Sequence, residues 1–162
     1  MGASSWSFGE DDALRIQGIL RGFLGETNAR TALIVDRTGQ LVATVGEAPA
    51  FDPTVFASLT AADFSANDQL ARMLGEAEFG TLFHQGERES MYLADVARRV
   101  ILVVLFDNRT TLGLVKLRVK PAVGQLNQVF TEMFERDGGA VPGVESAFLG
   151  EAEDEIDKLF GP

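Results

Sequence analysis

Residues 100–106 read Val-Ile-Leu-Val-Val-Leu-Phe, an unbroken apolar run with Arg98-Arg99 before it and Asp107-Asn108-Arg109 after it. Successive side chains of a strand point to opposite faces of its sheet, so a strand apolar at every position has no face suited to water. A run this short, closed at both ends by charged corners, predicts a strand covered on both faces. Two more strand candidates lie just upstream, at 81–85 (TLFHQ) and 89–96 (ESMYLADV), and the apolar run completes a third at 99–106. Gly86-Glu87-Arg88 and Ala97-Arg98 supply the turns between them. The chain therefore has to form a sheet with helices on both sides.

The rest of the sequence supplies those helices and two more strands. Ala13, Ile16, Leu20, Phe23 and Leu24 form one apolar stripe, which predicts a helix over 10–24. The acids at 10–12 suit its positive end, and Gly25 is the expected C-cap. Gly18 and Gly22 each weaken it by about 1 kcal/mol, a loss that close approach of another helix would offset. Segments 29–36 and 40–45 then read as a hairpin around Asp36-Arg37-Thr38-Gly39. Asp52-Pro53 is a cap followed by a favoured first residue, opening a helix to Leu74 that stops at Gly75. Residues 114–120 alternate in a way that also suits a strand. Leu112, Val115, Val119, Ala122, Leu126, Val129 and Met133 recur every three or four positions, however, favouring one helix over 111–135 kinked near Pro121.

This divides the chain into an N-terminal segment without regular structure (1–9), one folded domain (10–136), a flexible linker (137–149) and an acidic tail (150–162) with a short helix. Ile156, Leu159 and Phe160 would form the apolar side of that helix and dock it on a partner.

Composition excludes several kinds of chemistry. The net charge of −10 comes without any basic patch, which argues against nucleic acid. There is no cysteine, hence no disulfide, thiolate metal site or cysteine nucleophile. His84 is the only histidine, and its place in an edge-strand candidate suits a structural hydrogen bond better than catalysis. Carboxylates show no metal-ligand spacing, and no Gly-rich loop leads into Lys-Ser or Lys-Thr. No catalytic, cofactor-binding or metal-binding residue is expected. No apolar run is long enough to span a bilayer, and the opening MGASSWSFGEDD has neither the basic start nor the apolar core of a signal peptide. The expected location is the cytoplasm.

Three stretches carry a family resemblance: Leu59-Thr60-Ala61, Phe83-His84-Gln85-Gly86-Glu87, and Leu105-Phe106-Asp107-Asn108-Arg109-Thr110 continuing to Lys116. Together with the element order, they make residues 10–136 resemble the Roadblock family, in particular its bacterial MglB-type members. The resemblance implies an α+β, profilin-like α-β-β-α-β-β-β-α sandwich. Its five-stranded antiparallel sheet would carry the middle helix on one face and the two terminal helices on the other. It also implies a homodimer that binds a Ras-like GTPase of the MglA type, one per dimer, and stimulates GTP hydrolysis without an arginine finger. Such proteins act in cell polarity or gliding motility and concentrate at a cell pole. Two alternatives stay open: a scaffold without activating function, and a ligand-sensing domain of the profilin or PAS kind, which would need an enclosed apolar pocket.

The residues themselves point to two surfaces. Leu41, Val42, Ala43, Thr44 and Val45 carry neither charge nor proline, a hazard at a sheet edge unless a second copy pairs there. On the middle helix, Phe56, Leu59, Ala66, Leu70, Met73 and Leu74 are expected to face the sheet. The opposite side would then offer Ser58, Ala61, Ala62, Ser65, Gln69 and Arg72 to the GTPase, flanked by Phe64. Arg37, Arg72, Arg88, Arg98 and Arg109 are expected to be surface charges.

Overall fold

The computed structural model describes residues 9–138. Its elements are α1 (Glu10–Thr27), β1 (Thr31–Asp36), β2 (Leu41–Gly46), α2 (Pro53–Met73), β3 (Thr81–Gln85), β4 (Ser90–Val96), β5 (Val100–Phe106) and α3 (Leu112–Gly138). The five strands form one sheet in the order β2-β1-β5-β4-β3, with every neighbouring pair antiparallel. The apolar run thus becomes the central strand. Asp107-Asn108-Arg109, which follows it, turns the chain into α3.

Strand parity divides the core in two. Val100, Leu102, Val104 and Phe106 join Ala32 and Ile34 of β1 against α1 and α3, where Ile16, Leu20, Val119, Leu126 and Phe130 are buried. Ile101 and Val103 join Leu33, Val35 and Leu93 against α2 through Ala57, Ala61 and Phe64. This is the expected sandwich of one helix against two. Neither layer covers β5 alone, which is why all seven positions of that strand had to be apolar.

The end of α1 and its cap need correction, whereas the single long helix α3 is as expected. α1 continues to Thr27, and its cap is Asn28 at φ 62°, whose amide donates to the Leu24 carbonyl at 2.8 Å. Asn tolerates the left-handed conformation well enough to replace the expected Gly25. A Cβ added at Gly18 or Gly22 would meet nothing within 4 Å, so no close helix approach offsets those glycines among the described residues. α3 is one helix that runs through Pro121. The hairpin turn is held from within by buried Asp36, whose carboxylate accepts from the Thr38 and Gln40 amides at 3.0 Å each.

Candidate functional site

The face that α2 shows to solvent follows from the small residues it places against the sheet. Asp52 caps it, accepting from the Thr54 amide at 2.9 Å, with Pro53 in the first turn. Its buried positions are Ala57, Thr60, Ala61, Phe64, Asn67 and Ala71. Alanines let the helix axis lie close to the sheet, and Gly39 of the hairpin turn presses against it. A Cβ there would come within 3.2 Å of Ser58 Cα.

The orientation of this helix is therefore rotated from the one its sequence suggests. Leu59, Leu70, Met73 and Leu74, expected to face the sheet, are 66%, 56%, 81% and 74% exposed, and Ala66 is exposed with them. Only Phe56 is partly buried, and it packs on Phe51. Ala61 and Phe64, expected on the partner side, belong to the core, and Phe64 is wholly buried. Ser58, Ala62, Ser65, Gln69 and Arg72 are exposed as expected. Size points the large apolar residues inward, whereas here the periodic small residues mark the inner side. The outer side of α2 consequently carries an apolar stripe of Val55, Leu59, Ala62, Ala66, Leu70 and Met73 at spacings of three and four.

Beside that helix, β2 forms one end of the sheet. Leu41 is partly buried on the α2 side and Val42, Ala43 and Val45 on the α1–α3 side, Thr44 is exposed, and the outer edge of β2 has no strand partner among the described residues. Nothing charged blocks that edge between Leu41 and Gly46.

Two of the arginines are structural groups. Arg37 bonds Asp68 of α2 at 2.6 Å, also bonds Asp95 of β4, and lies over the Phe64 ring at 4.8 Å. Burial alone would lower its guanidinium, but the bonds to Asp95 and Asp68 outweigh it and raise the group. Arg109 bonds Asp107 at 3.0 Å and Glu47 at 2.8 Å, and Glu47 also takes Arg30, which bonds Glu89 in turn. The Asn28 side chain donates to the Arg109 carbonyl at 3.3 Å. The Asp-Asn-Arg corner thus clamps the end of edge strand β2 to the centre of the fold. Hydrogen bonding from Arg109 lowers both Asp107 and Glu47 below the usual carboxylate range. Arg72, Arg88 and Arg98 are exposed.

His84 Nε2 lies 2.6 Å from Asp63 Oδ2, joining β3 to α2. This is the structural use expected for it. Among the described residues no cluster of three His, Asp or Glu side chains could hold a metal ion, and no helix is long and apolar enough to cross a membrane. Ile156, Leu159 and Phe160 lie outside the described residues.

Helices on both faces of a five-stranded α+β sheet, with an open edge strand and an apolar outer helix face, define a profilin-like sandwich domain. Residues 16–106 match the Roadblock/LC7 domain model, and the chain belongs to the Roadblock/LC7 family, whose members are regulatory domains. The structure is similar to that of MglB from Myxococcus xanthus, with 42% identity, a TM-score of 0.70, and coverage of 73% of this chain and 96% of that one. The gliding protein MglB from Thermus thermophilus gives 34% identity and a TM-score of 0.75, over 80% of this chain and 98% of that one. A profilin, isoform IB from Acanthamoeba castellanii, shares the fold at 17% identity and a TM-score of 0.54, over 69% of this chain and 96% of that one. No curated protein matches the sequence significantly.

Proposed function

We propose that this chain is an MglB-like regulator that acts as a homodimer on a small Ras-like GTPase of the MglA type and stimulates GTP hydrolysis. The observation that carries this reading is 42% identity to an MglB across 96% of that protein. The surfaces described above fit it. Pairing of β2 with the β2 of a second copy would remove the unguarded edge and bring two α2 helices side by side. The resulting platform would offer Ser58, Ala62, Ser65, Gln69 and Arg72 together with Leu59 and Met73. Gliding, named for the Thermus relative, suits a pair that sets polarity or directs motility.

Activation would proceed without an arginine finger. A finger must be free to enter the nucleotide site, whereas Arg37 and Arg109 are each already engaged by two carboxylates. GTP turnover by an MglA-type GTPase, measured with and without this protein, tests the reading. Stimulation is expected to survive Ala substitution at Arg72, Arg88 or Arg98. A loss of about a thousandfold at any one of them would identify a finger. Gln69→Arg should weaken the complex without unfolding the protomer, and full binding by that variant would remove the α2 face from consideration.

The ligand-sensing alternative has one observation in its favour. A cleft of about 510 Å³, open to solvent, lies beyond the start of α2, lined in its apolar part by Phe51, Met91, Leu105 and Pro49, with Arg30 and His84 among its polar groups. Its size is that of a small-molecule site.

A further inference from the structure

A second cavity, of about 400 Å³, lies between the latter half of α2 and the β1–β2 and β4–β5 turns. Arg37, Ser65, Asp68, Arg72, Glu78 and Arg98 line it. Arg37 is already held by two carboxylates, Asp68 and Asp95. Arg72 and Arg98, by contrast, form no ion pair among the described residues, and Glu78 is the one other acid on the wall.

The described chain ends close by. α3 covers the opposite face of the sheet, yet its Phe134 ring lies 4.5 Å from the guanidinium of Arg99, the neighbour of Arg98 in the β4–β5 turn. Gly138, the last residue of α3, follows one helical turn later. Beyond it the sequence carries Glu151, Glu153, Asp154, Glu155 and Asp157 against a single lysine, Lys158. The intervening stretch can extend to about 40 Å, ample to round the end of the sheet.

We propose that the acidic segment 151–157 docks on its own chain at this cavity, its carboxylates engaging Arg72 and Arg98. Two Arg–carboxylate pairs at exposed arginines give a free peptide millimolar affinity at best. A tether of this length supplies an effective concentration of the same order, so docking in cis is at most near balance and salt releases it. Occupation covers Ser65 and Arg72, so a docked tail and a partner on that flank of α2 exclude one another. The docking itself requires no GTPase and holds whether or not the proposed activity does.

The absence of native cysteine permits a direct test. Ser65→Cys places one thiol in the cavity wall and Ala152→Cys places another in the acidic segment of the full chain. Mild oxidation at low ionic strength is expected to close an intramolecular disulfide, seen as a faster-migrating monomer on a non-reducing gel. Closure should slow by about fivefold or more when the segment's acids become amides (Glu151→Gln, Glu153→Gln, Asp154→Asn, Glu155→Gln, Asp157→Asn), and likewise with Arg72→Glu. The amide variant alters no residue of the described fold, so misfolding cannot imitate the loss. A closure rate unchanged by the amides overturns the proposal. So does a covalent dimer as the main product, which would place the segment on a second copy.

Discussion

Arg37 shows how far one side chain can depart from what its neighbours in sequence suggest. In a hairpin turn beside Thr38 and Gly39 it looks like a solvated charge. In the fold it reaches Asp68 on α2 and Asp95 on β4, residues far off in sequence, and covers Phe64 at the base of the helix. No local pattern encodes that convergence. Arg37→Ala leaves two carboxylates without their cation and uncovers part of an aromatic ring, and should cost about 1–3 kcal/mol. Urea unfolding checks it, since a midpoint equal to that of the parent would show the cluster to be energetically idle. Phe64→Ala should cost more, about 3–5 kcal/mol, because it also empties the layer between α2 and the sheet.

Whole elements are more legible than single residues, and for physical reasons. β5 is readable because doubly covered strands must be apolar throughout, and α3 because its stripe continues past Pro121 without a change of phase. The rotation of α2 is not, because Leu59, Leu70 and Met73 are large and apolar yet exposed, so size is a poor proxy for depth there. The alternation of small residues at Ala57, Ala61 and Ala71 is the signal that marks the inner side. The clamp on β2 is also hidden, since Glu47 and Arg109 meet only once the strands are paired. Its pH dependence follows from the lowered carboxylates. Groups held below their ordinary values stabilise the fold above about pH 4 and lose that contribution as pH falls through their folded values. Protection of the Glu47 amide, which donates to the Arg30 carbonyl at 2.9 Å, should be level from neutrality to about pH 5 and fall below about pH 4. Hydrogen exchange, corrected for intrinsic rate, measures it. Glu47→Gln should flatten the acid limb, and an unaltered profile would show that the clamp does not govern this end of the strand.

At the scale of the whole molecule, the two ends of the sheet are unequal. The proposed pairing through β2 puts Thr44 near the middle of the strand, close to its counterpart across a two-fold axis. Thr44→Lys sets like charges against each other there while leaving the core untouched, and should raise the dimer dissociation constant by about tenfold or more. Sedimentation equilibrium reports it, and an undiminished dimer would place the interface elsewhere. The other end is guarded differently. β3 is a short strand with exposed Thr81, His84 and Gln85, and its histidine is tied to α2 through Asp63. A building block sticky at both ends would add copies indefinitely and grow into a ribbon. One sticky at a single end behaves like a monofunctional reagent: coupling through β2 would consume both reactive edges, so growth of the sheet itself would stop at two copies.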